Sequence, residues 1–326
     1  PMKNGYTKLL SIISDGKIHS GEILATHLNV SRAAIWKSVK YLQALGLEIE
    51  AIRGKGYLLH NNFEFLSKED IQDMISPRAK KSCRDIEVAF KIKSTNLSLL
   101  NRLNHEVIHG SVMLAEYQSE GRGRRNKKWF SPIGSGICLS VGWRFEVMPI
   151  SLGLLSLYMG IATARTLNSI GLKNVGLKWP NDIIVMDRKI GGVLLDIRGE
   201  SMGPLDVVIG VGINYELPKH EPSIADQLII DICSVTKERL SRNIIAATLL
   251  SNIFHILQDL EIGENLNPID EWRQFDCYTG RKAKLILPNE EIVGILKGID
   301  ERGSLLMSVN GKLSTYGSGE VSLKIQ

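Results

Sequence analysis

One segment of the chain combines glycines and cations at a spacing that could bind an anion. Residues 121–132 read Gly-Arg-Gly-Arg-Arg-Asn-Lys-Lys-Trp-Phe-Ser-Pro, without apolar periodicity. The backbone N–H groups and guanidinium groups of such a loop can close over an anion. A solvated basic loop or a surface patch for nucleic acid would have the same composition, so this segment alone leaves the choice open.

Four other short motifs carry polar groups that could serve the same site. Each has a structural explanation by itself, such as helix capping by Ser94, a buried Trp179 or close strand packing at Gly191-Gly192. Their joint order along the chain is what favours a function. The motifs are Ser94-Thr95-Asn96, Lys178-Trp179-Pro180-Asn181-Asp182, Lys189-Ile190-Gly191-Gly192 and Gly210-Val211-Gly212-Ile213-Asn214.

Alternating strands and helices must position these motifs. The uncharged run Val147–Ala164 is long enough to span a membrane, but Pro149 and two glycines interrupt it and Arg165 follows it directly. We interpret it as a buried helix. Strands are predicted at Val88–Ile92, Val112–Tyr117, Ile137–Phe145, Ile183–Met186 and Val207–Ile213.

The N-terminal residues predict a helix-turn-helix followed by a hairpin. Apolar residues repeat at helical spacing up to Asp15, a second helix begins at Ser20, and Ser31 can cap a third helix that ends at Leu45. The alternation over Glu48–Ile52, a turn with two glycines and a returning apolar segment then predict a β-hairpin. This order of elements is that of a winged helix.

Cations concentrate on the outer face of the third helix and at the hairpin tip. Residues 1–60 carry eight cations against four acids, while the whole chain has a net charge of +5. This bias favours DNA over a protein partner for the unit. Trp36 could contact DNA or pack under the wing. The predicted DNA-binding residues are Ser31, Arg32, Ala33, Trp36, Lys37, Lys40, Arg53 and Lys55.

The C-terminal residues predict two helices and a small β unit. The helices are expected at Ser241–Leu260 and Asp270–Phe275, and five short strands follow between residues 282 and 324. Asn310-Gly311 is a strong hairpin signal within them. Five short strands fit an SH3-like barrel, which could be a passive cap or could take part in the function of the preceding domain.

The composition is that of an ordinary globular protein. A chain of 326 residues with 44% hydrophobic and 23% charged residues excludes the disordered and fibrous classes and allows two or three domains. The four cysteines lie far apart, without the paired spacing of a metal or redox site. With no signal peptide before the first helix, no membrane contact and reduced thiols, the expected location is cytoplasmic.

The Gly121–Pro132 loop and the four motifs resemble, in their order and spacing, the biotin protein ligases. With the winged helix in front, the whole chain is similar to the bifunctional members of that family, which are both ligase and biotin operon repressor. The resemblance implies an α+β protein in three parts. These are a winged helix-turn-helix at 1–64, a class II synthetase-like α/β ligase domain at 65–275 and an SH3-like β-barrel at 276–326.

The resemblance also implies a reaction in two steps. The carboxylate of biotin attacks the α-phosphate of ATP, which gives biotinoyl-5′-AMP and pyrophosphate. A lysine amine of the biotin carboxyl carrier protein of acetyl-CoA carboxylase then takes the biotinoyl group. Mg²⁺ would accompany the ATP phosphates, with its protein ligands unknown. The adenylate-bound homodimer would bind operator DNA and repress transcription.

Matching motif by motif, the resemblance assigns roles to individual residues. Lys189 and Arg124 are implied as catalytic, and Asp182 is our hypothesis for the base that serves the attacking amine, because Pro180 fixes the turn that presents it. The implied biotin-binding residues are Ser94, Thr95, Asn96, Gln118, Gly121, Arg122, Gly123, Arg124, Lys189 and Gly192. The implied ATP or adenylate residues are Arg124, Arg125, Trp129, Asn181 and Asn214.

One position departs from the family pattern. Asn126 stands where the loop motif usually has glycine. Asparagine tolerates left-handed backbone angles better than most residues, so we expect the turn to be retained. The closure of the loop, and with it the retention of the adenylate, is where we expect the departure to matter.

Two rival functions stay open at this point. The chain could be a ligand-sensing repressor without transfer activity, although the presence of Lys189 and Arg124 argues against that loss. It could also be an acyl ligase for a related substrate such as lipoate. Labelling of a carrier domain with biotin, or with lipoate alone, separates these functions.

Overall fold

The computed structural model describes residues 3–60, 63–199, 203–218, 228–263, 268–287, 290–318 and 322–325. No helix in these segments has the length and apolar character needed to cross a membrane. The first unit consists of α1 (Lys3–Ile13), α2 (Gly21–Leu28), α3 (Arg32–Ala44), β1 (Ile49–Ile52) and β2 (Gly56–Leu59).

Local sequence signals account for the elements of this first unit. Ser20 and Ser31 are the N-caps of α2 and α3, and their hydroxyl oxygens accept hydrogen bonds from the backbone N–H groups of Glu22 and Ala34. Asn29 ends α2 in the left-handed conformation, with φ of 52°. β1 and β2 pair as an antiparallel hairpin. The predicted helix-turn-helix and hairpin are therefore confirmed.

The second unit alternates helices with seven strands. In chain order its elements are α4 (Lys68–Met74), α5 (Pro77–Lys80), β3 (Asp85–Ala89), α6 (Thr95–Arg102), β4 (Ser111–Ala115), β5 (Gly136–Phe145), α7 (Leu152–Ser169), β6 (Gly176–Lys178), β7 (Asp182–Val185), β8 (Arg188–Gly199), β9 (Leu205–Asn214), α8 (Ile232–Thr236), α9 (Arg242–Glu261) and α10 (Pro268–Phe275).

The seven strands form one sheet in the order β3-β4-β5-β9-β8-β7-β6. β3 and β4 are parallel, and the other neighbours are antiparallel. The long helices α7 and α9 cover one face, over a core that includes Trp143 and Phe254. On the other face α6 buries Leu99, Met113 and Val208. Beside α6, this second face is left for the candidate site.

Two predicted elements are displaced by three residues or more. The strand expected at Val88–Ile92 lies earlier and ends at Ala89, where its parallel pairing with β4 stops. The buried helix expected over Val147–Ala164 begins at Leu152. Ser151 caps that helix through a hydrogen bond from the N–H group of the third helical residue, which sets its start beyond the proline.

The third unit is a five-stranded antiparallel sheet. Its strands are β10 (Lys282–Ile286), β11 (Glu291–Ile299), β12 (Leu305–Val309), β13 (Lys312–Tyr316) and β14 (Ser322–Ile325). Their order in the sheet is β13-β12-β11-β10-β14, and the predicted number of strands is confirmed. Among the described residues β13 and β14 remain at opposite edges of the sheet, so the closure of a barrel stays a prediction.

The third unit docks on the second through its β11–β12 turn. The buried indole N–H of Trp179 donates to the carbonyl of Gly303 at 3.0 Å, and the Ser151 hydroxyl donates to the carbonyl of Arg302 at 2.8 Å. A Cβ at position 303 would lie 3.1 Å from atoms of α7, so glycine permits this close approach. The turn thereby supports the segment that follows β6.

A buried ion pair fixes the linker between the first two units. Arg242 and Glu116 have side chains only 2% exposed, and Nη1 of the arginine lies 2.8 Å from Oε2 of the glutamate. Arg242 also donates to the carbonyls of Glu64 and Gly136, while Glu116 accepts a hydrogen bond from the N–H group of Leu66. Linker, sheet and α9 are thus joined at one point.

The segment that follows the basic loop packs into the winged helix. Ile133 is buried within the hydrophobic cluster of the first unit, and its N–H group donates to the carbonyl of Leu45 at 3.0 Å. Gly46 has φ of +105°, and a Cβ there would lie 2.7 Å from Cβ of Pro132. The C-terminal end of the loop is therefore anchored on the first unit.

Candidate functional site

A cleft of about 710 Å³ opens between the 121–132 loop, the sheet at β5, β9 and β8, and strand β14. That volume is typical of sites for small molecules. Gly121 and Asn214 are predicted ligand residues that do not line it. The predicted site residues that do are Ser94, Thr95, Asn96, Gln118, Arg122, Gly123, Arg124, Arg125, Trp129, Asn181, Asp182, Lys189 and Gly192.

Left-handed backbone angles shape the tip of the loop. Arg125 and Asn126 have φ of 54° and 57°, within a single 3-10 turn. The turn expected at Asn126 is therefore confirmed, while Arg125 takes the same conformation at a steric cost of about 1–2 kcal/mol. At the loop's stem, a Cβ on Gly121 would lie 2.4 Å from the carbonyl oxygen of Trp129, so glycine lets the two ends pair closely.

For the adenylate that the family resemblance implies, we expect Asn126→Gly to increase the rate of release from the protein by about two- to five-fold. Glycine reaches left-handed angles easily but leaves the open loop more conformations to lose on closure. Release of labelled adenylate in a filter assay measures this rate. The midpoint of unfolding is expected to stay unchanged, and identical off-rates would show that the departure from the family is neutral.

The indole of Trp129 forms one wall of the cleft. A Cβ on Gly212 would lie 2.6 Å from Cε2 of this ring, so the strand must have glycine where the ring rests. The ammonium group of Lys189 lies 5.7 Å from the ring centroid, within cation–π distance. The loop therefore lies closed over the sheet.

Three cations surround one carboxylate at the end of β7. Nζ of Lys189 lies 2.5 Å from Oδ1 of Asp182, and both side chains are largely buried. Burial lowers the pKa of Lys178 and the pKa of Arg124, and the charge of Asp182 opposes that shift in both. The net positive charge in a partly buried cleft favours an anionic ligand.

Buried polar groups form the floor at the other end of the cleft. Oε1 of Gln118 accepts hydrogen bonds from the N–H group and the hydroxyl of Thr95, at 2.8 and 3.2 Å. The Ser140 hydroxyl lies 2.8 Å from the Thr95 hydroxyl and 2.5 Å from Oδ1 of Asn96. Because two donors, the N–H group and the hydroxyl of Thr95, already use Oε1, the NH₂ group of Gln118 can be offered to a ligand carbonyl.

Arg124 connects the loop with the rest of the cleft. Its guanidinium donates to the carbonyl of Ser318 in the third unit and to Oδ1 of Asn181, the latter at 3.4 Å. The third unit therefore contacts the loop directly, which favours an active role for it over a passive cap.

Asn214 supports the site from behind. Its amide donates to the carbonyls of Lys189 and Ile230, at 3.3 and 3.0 Å, and the side chain is buried. It thereby holds the backbone from which the Lys189 side chain extends. Its contact with ATP stays a prediction.

Sequence reasoning missed three residues of the site. Ser140 is a buried hydroxyl within the apolar strand β5, and Asp196 lies on β8. Lys178 belongs to one of the sequence motifs, but no role was predicted for it. The signal for Ser140 was its polarity inside an apolar run, since a buried hydroxyl requires a partner. Asp196 carried no local signal.

The described residues do not form a metal centre by themselves. Within them no three His, Cys, Asp or Glu side chains converge to hold a metal ion.

The outer face of the first unit is exposed as predicted for a DNA-binding surface. Trp36 is 53% exposed on α3, so it is not buried under the wing. The other predicted residues are exposed too, on α3 and at the hairpin tip: Ser31, Arg32, Ala33, Lys37, Lys40, Arg53 and Lys55. Their position is that of a recognition helix with a basic wing.

The comparisons with known proteins first identify the class of protein. Residues 88–214 match the biotin/lipoate A/B protein ligase family, residues 7–58 match an HTH domain, and residues 279–324 match the biotin protein ligase C-terminal domain. A biotin protein ligase from Aquifex aeolicus, solved with biotin and ATP, has the same fold, with a TM-score of 0.65 and 23% identity over 74% of this chain and all of that one.

Full-length relatives narrow the class further. The bifunctional ligase/repressor BirA of Salmonella typhimurium is 37% identical over 97% of this chain and 96% of its own length. BirA of Bacillus subtilis is 25% identical over 93% of both chains. The chain belongs to the biotin protein ligases, in the group that carries an N-terminal repressor domain.

Proposed function

We propose that this protein forms biotinoyl-5′-AMP from biotin and ATP, with Mg²⁺, and transfers the biotinoyl group to a lysine of the biotin carboxyl carrier protein of acetyl-CoA carboxylase. The observation that carries this proposal is the cleft itself. One end offers neutral hydrogen-bonding groups, and the other gathers Lys178, Lys189 and Arg124 around Asp182. A ligand with a polar ring at one end and phosphates at the other fits that division.

In the first step a carboxylate oxygen attacks the α-phosphorus of ATP, and the bond to pyrophosphate breaks. Two negatively charged groups must meet, so fixed cations in a cleft without water lower the barrier. Lys189 would stabilise the charge that develops between carboxylate and phosphate, and Arg124 would hold the adenylate under the closed loop. Ser94, Thr95 and Gln118 would fix the pose of the ureido ring.

In the second step the lysine amine attacks the acyl carbon, and the bond to AMP breaks. An ammonium group must first lose a proton to become a nucleophile. Asp182 would accept that proton, and its ion pair with Lys189 in the free protein would then be exchanged for contacts in the adenylate complex.

The first unit would make the same protein a repressor. Its exposed basic helix and wing fit operator DNA, and twofold operators match twofold proteins. We propose that the adenylate-bound form is a homodimer and that this dimer binds the operator of a biotin operon.

Two measurements test the proposed function. Labelled biotin, ATP and Mg²⁺ are incubated with the protein and a carrier domain, and label on the carrier is expected. Label from lipoate alone would point to the related acyl ligase, and no label from either would leave a ligand-sensing repressor. Gel-shift titration with operator DNA, with and without biotin plus ATP, tests the second activity.

We expect Asp182→Asn to slow biotin transfer from preformed adenylate by about 10²-fold or more, the usual size of a general-base effect. Single-turnover transfer to the carrier domain isolates that step from adenylate formation. An unchanged transfer rate in the variant would remove Asp182 from the mechanism.

A further inference from the structure

Asp196, on β8, contacts both the loop and the floor of the cleft. Nη1 and Nη2 of Arg122 lie 3.3 and 3.2 Å from its two carboxylate oxygens, in a bidentate pair. Nδ2 of Asn96 donates to Oδ2 of the same carboxylate at 2.8 Å. One acidic side chain thus receives hydrogen bonds from the loop and from the floor of the cleft.

The contact with Asn96 sets the direction of the hydrogen bonds in the floor. A carboxylate only accepts, so Asn96 must turn its NH₂ group toward Asp196 and its Oδ1 atom toward Ser140. Ser140 must then donate to this oxygen, which lies 2.5 Å from its hydroxyl and can only accept. Asn96 is buried and rests on Gly210, where a Cβ would lie 2.2 Å from its Oδ1 atom.

The contact with Arg122 holds the loop. Arg122 precedes the tip that carries Arg124, and the Asp196 carboxylate is only 18% exposed. Arg122 and Arg124, which were both predicted to bind a ligand, therefore have different roles. Arg122 is neutralised by the protein, whereas Arg124 lies in the part of the cleft with excess positive charge.

We propose that Asp196 is a positioning residue that holds the loop closed through Arg122 and orients Asn96 and Ser140 at the end of the cleft assigned to biotin. This inference rests on the proposed function for the identity of the ligand. The holding of the loop by Arg122 does not depend on it.

The test compares Asp196→Asn with a matched control. Asp206 on β9 is similarly buried, at 14%, and pairs with Arg144 at 3.1 Å, away from the cleft. Asp206→Asn therefore breaks an equivalent ion pair on the same sheet without touching the site.

Limited trypsin digestion without ligand reports on the loop alone. Asp196→Asn is expected to increase the rate of cleavage within residues 122–128 about ten-fold, as expected for loss of a partly exposed, charge-assisted contact. Asp206→Asn is expected to leave that rate unchanged. Equal cleavage rates in wild-type protein and Asp196→Asn would overturn the proposal, even if the protein proved not to bind biotin.

Ligand measurements test the rest. In wild-type protein that forms biotinoyl-AMP, Asp196→Asn is expected to raise the KM for biotin about ten-fold and to leave the KM for ATP within two-fold. Adding Arg122→Gln to Asp196→Asn is expected to change the adenylate off-rate less than two-fold, because both residues act through one contact. If the effects of the two substitutions on the off-rate multiply, Arg122 acts on the ligand directly and the proposal is overturned. Failure of the wild-type protein to form adenylate would instead refute the proposed function.

Discussion

Lys189→Gln is expected to lower the rate of biotinoyl-AMP formation by about 10²–10³-fold. The lysine lies between Asp182 and the indole of Trp129, at the positively charged end of the cleft. Glutamine is one atom shorter and keeps a donor group but removes the charge that would stabilise the meeting of carboxylate and phosphate. ATP–pyrophosphate exchange in the presence of biotin measures this step directly.

Two comparisons make that result specific. Lys173→Gln removes an exposed lysine beyond the end of α7 and is expected to leave exchange unchanged. Transfer from preformed adenylate is expected to fall less than exchange, since Lys189 is assigned to the first step. A Lys189→Gln protein with wild-type exchange would exclude the lysine from adenylate formation.

Arg242→Met is expected to destabilise the protein by about 3–5 kcal/mol, the usual cost of leaving a buried charge unpaired. Methionine replaces the aliphatic part of the arginine side chain but leaves the buried Glu116 carboxylate without its cation. The carbonyls of Glu64 and Gly136 would each lose a donor as well. Denaturant unfolding followed by circular dichroism measures the effect as a shift in midpoint.

The exposed pair between Arg273 and Asp270 provides the control. Both side chains are more than 60% exposed, so Arg273→Met is expected to shift stability by less than about 1 kcal/mol. The double variant Arg242→Met with Glu116→Leu is expected to recover part of the loss, because no charge is then left buried. An Arg242→Met midpoint equal to that of Arg273→Met would contradict the structural role of the pair.

Local chemistry is what made the fold predictable. Ser20, Ser31 and Ser241 are N-caps, and each marks the start of a helix in a way that depends on its neighbours alone. The alternation of β1 and the hairpin signal at Asn310-Gly311 are equally local. The order of motifs in the ligase domain predicted most of the residues that line the cleft.

Contacts between distant segments were not predictable from the sequence. Arg242 and Glu116 are 126 residues apart, and neither stands in a pattern that indicates a partner. Asp196 and Arg122 are 74 residues apart, and no local pattern indicates that they pair. The position of Asn214 behind Lys189, rather than in the cleft, depends on how β8 and β9 pair and on the carbonyl of Ile230.

The two glycines of β9 have a consequence for the spacing of groups in the cleft. Gly210 leaves room for Asn96 and Gly212 leaves room for Trp129, and both side chains rest on the same face because residues two apart in a strand share a face. At about 3.3 Å per residue, the two points of contact are roughly 7 Å apart along the strand. The rise of a strand, which side-chain motion cannot change, thus fixes the spacing between the polar floor at Asn96 and the aromatic wall at Trp129.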